Sequence, residues 1–190
     1  MAVLRAVLDA SVFFPAAVRD TLLRAAASGL YQLYWSDEIL DEVRRNLVAS
    51  GRATPEQAQR LGDTMQRAFP EASVPGYEVL IDRVANDPKD RHVLAAAVAS
   101  QAQIIVTDNL RHFPHEALAP FNVEAHSADA FLTLLFDWEP ERMIQIVIEQ
   151  TNDLRSPRKT YREVLDSIGK QAPTFAAFVR ERIERTFEKL

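Results

Sequence analysis

The 190 residues are 47% hydrophobic and 26% charged, ordinary proportions for a globular chain with a full core, and they include no cysteine, which excludes disulfides and thiolate metal sites. The formal net charge of −5 argues against a broad electrostatic grip on nucleic acid, because non-specific affinity comes from neutralising phosphates with Lys and Arg. No apolar run reaches the ~18 residues of a membrane span, and the N-terminal sequence turns acidic too early for a signal peptide, so we expect a cytoplasmic protein.

Strands and helices are predicted to alternate through the first two thirds of the chain. Short apolar runs rich in β-branched or aromatic residues predict strands at residues 3–8, 30–35, 104–106 and 123–126. Capping residues followed by amphipathic or alanine-rich stretches predict helices at residues 15–28, 37–50, 55–69, 77–84 and 88–100. This alternation indicates a parallel sheet with helices on both faces.

From Ser127 onwards the pattern predicts helices only, at residues 128–136, 141–152, 161–168 and 174–187. We therefore expect an α/β domain at residues 1–127 and an all-helical C-terminal extension at residues 128–190. The apolar faces of that extension suit docking on the first domain, a homodimer contact or a groove for a partner protein equally well.

Acidic side chains share one edge of the predicted sheet. Asp9 ends the first strand, and Asp90 lies in the first turn of the helix that leads to the strand at residues 104–106. Strand carboxyl ends and helix amino ends meet at the same edge of a parallel sheet, where ligands of open α/β sheets bind. Glu42, on the helix after the second strand, is long enough to reach that edge. The alternative is that Asp90 and its neighbour Asp87 are a first-turn acid and a helix cap only.

Carboxylates that converge need a compensating charge. Two unit charges ~4 Å apart repel by roughly 4 kcal/mol at an effective dielectric near 20. Oxygen ligands without Cys or clustered His suit a hard cation, Mg²⁺ or Mn²⁺, and such a metal centre can hydrolyse phosphodiesters. An aspartyl-phosphate phosphatase is disfavoured, because its second acid would stand two residues after Asp9, where the chain has Ser11.

The run DPKDRHVLAAAVASQAQIIVT, the Asp-Ala-Ser after the first strand and the acid in SDEILDEV resemble a PIN-domain nuclease, and more narrowly the VapC-type toxins of bacterial toxin–antitoxin pairs. The resemblance covers roughly residues 3–126. It implies a three-layer α/β/α fold, metal-dependent cleavage of RNA with Mg²⁺ or Mn²⁺, and a cognate antitoxin as partner. By motif position it implies metal-binding catalytic acids with accompanying hydroxyls, namely Asp9, Glu42 and Asp90 with Ser11 and Thr107.

One position departs from the family pattern. The fourth acid usually stands two residues after the strand-end threonine, and that position is Asn109. An asparagine carbonyl can ligate a cation but brings no charge, so we keep Asn109 as a catalytic candidate and expect a weak or absent second metal ion. Asp108 should point elsewhere by strand alternation. A non-catalytic binding module on the same fold, or an RNA-processing nuclease without an antitoxin, therefore stays open.

Several basic residues are candidates for RNA contacts. Arg91 and Arg111 flank the predicted site, as do His92 and His112, for which a structural role is favoured over proton transfer. The densest basic patch of this acidic chain could steer RNA or form an ordinary solvated loop, and it comprises Arg155, Arg158, Lys159 and Arg162.

Overall fold

The computed structural model describes residues 3–187, and its side chains through residue 185. The chain forms two compact units. The first contains the residues up to Phe14 together with Tyr31–Ser127, and the second contains Pro15–Leu30 together with the residues from Ala128 onwards. The change at Ser127 falls where the sequence predicts a domain boundary, but residues 15–30 group with the C-terminal helices. The division into independent domains stays a prediction.

A four-stranded parallel sheet forms the centre of the first unit. Its strands are β1 (Arg5–Leu8), β2 (Gln32–Tyr34), β3 (Ile104–Val106) and β4 (Glu124–His126), in the order β2-β1-β3-β4. Val7 of β1 pairs with Tyr34 on one side and with Ile105 on the other. Every residue of β3 is buried, as its β-branched run predicts. Because all four strands run in one direction, their carboxyl ends form one edge.

The helices follow the predicted order closely. They are α1 (Ala16–Ala27), α2 (Asp37–Ala49), α3 (Pro55–Ala68), α4 (Arg91–Ser100), α5 (His115–Leu118), α6 (Ala128–Trp138), α7 (Pro140–Asp153), α8 (Tyr161–Ile168) and α9 (Pro173–Phe187). The central parallel sheet and the helical C-terminal region confirm the predicted α/β class with a helical extension. No helix within residues 3–187 is long and apolar enough to cross a membrane.

Capping side chains define where α2 and α3 begin. The Ser36 hydroxyl accepts a hydrogen bond of 3.2 Å from the backbone N–H of Ile39 at the start of α2. Thr54 and Gln57 form a reciprocal capping box at the start of α3, with Pro55 at the first helical position. Both caps appear where the sequence predicts them.

The segments around Asp90 wind more tightly than predicted. Residues Tyr77–Arg83 form a 3-10 helix, and Pro88–Asp90 form one 3-10 turn before α4 begins at Arg91. The Asp87 carboxylate accepts a 3.0 Å hydrogen bond from the N–H of Lys89, which closes that turn around Pro88. Further short helical turns after β3, at Leu110–His112, His115–Leu118 and Ala119–Phe121, were not predicted.

Helices α1 and α6–α9 form the second unit. Its core includes Phe131, Leu132 and Phe175, which are fully buried. The buried amide of Gln150 on α7 donates a hydrogen bond of 3.0 Å to the carbonyl of Ala17 on α1. This bond satisfies a polar group that would otherwise destabilise an apolar interior.

Candidate metal-binding site

Asp9 follows β1 and is held by hydroxyl groups from two distant parts of the chain. Ser11 and Thr107 each donate a hydrogen bond of 2.7 Å to the same carboxylate oxygen, Oδ2. The backbone N–H of Asp9 donates to the carbonyl of Val106 at the end of β3. These bonds join the carboxyl ends of β1 and β3, and none of them uses Oδ1 of Asp9.

The hydroxyl groups around Asp9 also accept hydrogen bonds. Ser11 Oγ accepts from the N–H of Asp108, and Thr107 Oγ1 accepts from the N–H of Asn109, both at 3.0 Å. Each hydroxyl has one hydrogen, and both hydrogens point to Asp9. The 3.4 Å approach between Ser11 and Thr107 is therefore a contact and not a third hydrogen bond. Asp9 is a buried carboxylate, 2% exposed, with Oδ2 held by two hydroxyl donors.

Asp90 lies at the start of α4 beside a histidine from the loop after β3. His112 Nδ1 is 2.6 Å from Asp90 Oδ2. Arg111 Nε donates a hydrogen bond of 3.1 Å to His112 Nε2. Since Nε2 accepts this bond, the hydrogen-bond network assigns the imidazole proton to Nδ1, and Nδ1–H donates to Asp90. The backbone N–H of Asp87 also donates to the carbonyl of His112, which fixes the two segments to each other.

The environment of Asp90 disfavours a negative charge there. Burial raises the pKa of Asp90 above its ordinary value, and the charge of Asp9 raises it further, while the hydrogen bond from His112 acts in the opposite direction. The charges of Asp9 and Asp90 therefore act on each other, although 80 residues separate them in the sequence. Asp9 follows β1 and Asp90 precedes α4, and the convergence of these two acids in one metal site stays a prediction.

Glu42 lies close to His92 on α4. His92 is 4% exposed, with Nε2 3.6 Å from Glu42 Oε1 and Nδ1 3.9 Å from Glu38 Oε2. Neither ring nitrogen has a hydrogen-bond partner among the described residues. Burial acts to lower the pKa of His92, but the contact with Glu42 and the charges of Glu38, Glu42 and Asp9 outweigh it, so the pKa is raised.

Asp87, Asp90 and His112 offer ligand atoms that all lie within 4.8 Å of one another. Among the residues that the structure describes, neither Asp9 nor Glu42 joins a group of three at that spacing. Both ring nitrogens of His112 are engaged, Nδ1 with Asp90 and Nε2 with Arg111, so the donors left for a cation are the carboxylate oxygens of Asp87 and Asp90, which repel each other. This chemistry fits a divalent cation such as Mg²⁺ or Mn²⁺, which would neutralise the carboxylates.

The two positions after Thr107 differ in exposure. Asp108 is exposed, whereas Asn109 is half-buried and its backbone N–H donates to the Thr107 hydroxyl. The sequence predicts a structural role for His112, and in the structure His112 is the hydrogen-bond partner of Asp90. The sequence pattern gives no sign of Asn86, a buried side chain next to Asp87 whose amide atoms have no partner among the described residues. A lone polar residue in a loop has no periodic pattern that would identify it.

The predicted RNA-contacting arginines fall into different environments. Arg111 is exposed and bonds to His112, and Arg91 is half-buried at the start of α4. In the second unit, Arg162 lies 3.5 Å from Glu184 and over the ring of Tyr161, so an acid already compensates it. A pocket of about 510 Å³ is lined by the other three members of the basic patch, Arg155, Arg158 and Lys159.

Family models match both parts of the chain. A model described as PIN domain matches residues 5–111, and one described as VapC50 C-terminal domain matches residues 128–181. The chain is 42% identical over 105 residues to a Mycobacterium tuberculosis protein named "Putative ribonuclease VapC50", and the alignment covers 55% of this chain and 62% of that protein. The chain thus spans less than two thirds of that relative. No solved structure matches the chain.

Proposed function

Because the chain belongs to the PIN-domain family, we propose that it is a metal-dependent endoribonuclease that hydrolyses phosphodiester bonds of RNA. The observation that supports this proposal most is the clustering of Asp87 and Asp90 beside His112, with ligand atoms that all lie within 4.8 Å of one another, and the charge of Asp9 also acts on Asp90. The name of the Mycobacterium tuberculosis relative, a ribonuclease, agrees with the same substrate class.

Asp9, Asp90 and Glu42 are the proposed metal ligands, with Asp87 and Asn109 as further oxygen donors and Mg²⁺ or Mn²⁺ as the ion. When bound, the ion would activate the attacking water and stabilise the leaving oxygen. Asp9 is suited to its part because Ser11 and Thr107 fix Oδ2, which leaves Oδ1 for the cation. A ligand held in this way needs little reorganisation when the ion binds.

His112 is proposed to act on the site through Asp90. Its Nδ1–H holds Oδ2 of Asp90, and Arg111 holds the opposite ring nitrogen, so the imidazole keeps one tautomer and one orientation. Oδ1 of Asp90 then faces no competing hydrogen bond from this pair. His92 is proposed to hold Glu42 near the same edge in a comparable way, through the 3.6 Å approach of Nε2 to Oε1.

We propose that the protein is a toxin with a cognate antitoxin and that it cleaves its RNA substrate in the cytoplasm. The match of residues 128–181 to the VapC50 C-terminal domain and the name of the relative support this setting. An RNA-processing nuclease without an antitoxin is the alternative within the same chemistry. A small open reading frame directly upstream that encodes a DNA-binding protein would favour the toxin, if that protein abolishes cleavage when the two are mixed.

A non-catalytic binding module is the second candidate function, and Asn109 is the observation that favours it. The missing charge at this position weakens the case for a second metal ion. The binding module predicts RNA binding with no metal-dependent turnover, whereas the nuclease predicts turnover that requires the acids.

The deciding experiment follows cleavage of a fluorophore–quencher RNA by the purified full chain in Mn²⁺, in Mg²⁺ and in EDTA. We expect cleavage with a divalent ion, none in EDTA, and none after Asp90→Asn. Asp82→Asn is the matched control, because Asp82 is exposed on the 3-10 helix Tyr77–Arg83 and loses the same charge. Absence of cleavage by the wild-type chain in both metals would reject the nuclease, and full activity of Asp90→Asn would remove Asp90 from the site.

A further inference from the structure

The loop between α7 and α8 concentrates positive charge in a chain of net charge −5. Arg155 and Arg158 face each other as the paired residues of an antiparallel bridge, with Ser156 and Pro157 at the turn. Residues paired directly across such a bridge carry their side chains on the same face, where like charges destabilise the pairing. Lys159 follows at once and lines the same pocket.

The acidic residues nearest to this loop in the sequence form contacts with other residues. Asp153, at the end of α7, lies 2.8 Å from Arg24. Glu163 completes the capping box of α8 by accepting hydrogen bonds from the N–H and the hydroxyl of Thr160. These bonds, and to a smaller extent the charge of Lys159, lower the pKa of Glu163.

Within the described part of the chain, Arg155, Arg158 and Lys159 form no ion pair with any acid. The remaining pocket wall adds neutral hydrogen-bonding groups from Thr151 and Asn152, with Leu154 as its apolar member. A concave surface of donors without an apolar floor suits phosphate oxygens better than it suits the side chains of a peptide.

We propose that this pocket binds the phosphodiester backbone of RNA and thereby holds the substrate on a protein whose net charge repels it. This inference rests on the proposed nuclease function for the identity of the polyanion. Arginine is the expected residue for such a task, because its planar fork bonds two phosphate oxygens at once. Arg162 does not belong to the binding set, since Glu184 compensates its charge.

The test measures RNA binding without cleavage, by fluorescence anisotropy of a short unstructured labelled RNA titrated with the full chain in EDTA. The variant carries Arg155→Gln, Arg158→Gln and Lys159→Gln. The control carries Arg45→Gln, Arg60→Gln and Lys170→Gln, three exposed cations outside the pocket whose loss changes the net charge equally.

The salt dependence of the affinity is the decisive readout. Each phosphate neutralised on single-stranded nucleic acid contributes about 0.7 to the slope of log K against log salt, so losing three contacts should reduce the slope by about 2. At ~0.1 M salt this corresponds to an affinity loss of about 100-fold. The control triple should keep nearly the wild-type slope. Circular dichroism and thermal unfolding verify that both variants fold.

Other results would overturn the inference. Equal slopes for the pocket and control variants would do so, as would absence of RNA binding by the wild-type chain at low salt. Tighter binding of an acidic peptide than of RNA with equal charge would assign the pocket to a protein partner instead. RNA binding that depends on the pocket without any cleavage would reject the nuclease alone, and cleavage with pocket-independent binding would reject the pocket alone.

Discussion

Replacing Thr107 by valine removes one hydroxyl from the end of β3 and conserves the shape of the side chain. Thr107 is fully buried, donates a 2.7 Å hydrogen bond to Asp9 Oδ2 and accepts one from the N–H of Asn109. A hydrogen bond to a charged group contributes about 1.5–3 kcal/mol, and a buried acceptor left with one donor fewer loses most of that. We expect the Thr107→Val substitution to lower the free energy of unfolding of the metal-free protein by about 2 kcal/mol.

The matched control for this experiment is the substitution of Thr133 on α6 by valine. The hydroxyl of Thr133 is buried and has no hydrogen-bond partner among the described residues, so its removal should be neutral or stabilising. Urea unfolding of both variants in EDTA, followed by fluorescence and circular dichroism, gives the comparison. Equal effects of Thr107→Val and Thr133→Val would refute the argument that the hydroxyl of Thr107 holds Asp9.

Two further predictions concern the charges around α4. The pKa values of Asp90 and His92 are raised in the folded protein, so the folded protein binds a proton at each group more tightly than the unfolded chain does. Proton binding therefore stabilises the fold at low pH, and this stabilisation is lost as pH rises through the pKa values of the folded protein. The metal-free protein should therefore unfold at lower urea near pH 8 than near pH 5, and a flat profile would contradict the raised pKa values of Asp90 and His92. His112→Ala should weaken Mn²⁺ binding by about 10-fold or more in calorimetry, as expected for a residue that orients a ligand; unchanged affinity would make His112 a bystander.

The strand and cap positions could be predicted because they depend on local sequence. The run Ile104–Val106 is β-branched throughout and could only suit a buried strand, and Ser36 and Thr54 precede their helices with capping chemistry. The expected convergence of Asp9 and Asp90 follows from a rule of parallel sheets, which fixes the edge but not the distances.

The remaining features depend on contacts between distant residues. The imidazole of His112 reaches Asp90 because an unpredicted 3-10 turn follows β3, and a single loop histidine carries no periodic signal. Helix α1 groups with the C-terminal helices, as the buried bond between Ala17 and Gln150 illustrates, and no local pattern announces such a partner. The carboxylates of Glu38 and Glu42 on α2 both approach His92 on α4, and no local pattern predicts this contact between two helices.

The most direct test of the proposed centre is a calorimetric titration of the metal-free chain with Mn²⁺, comparing Asp9→Asn and Asp90→Asn with the exposed control Asp82→Asn. If carboxylates from the end of β1 and the start of α4 hold one cation, each of the first two substitutions alone should abolish binding, and the control should bind like the wild-type chain. Wild-type binding that survives either substitution would contradict a shared centre, and so would a wild-type chain that binds no Mn²⁺.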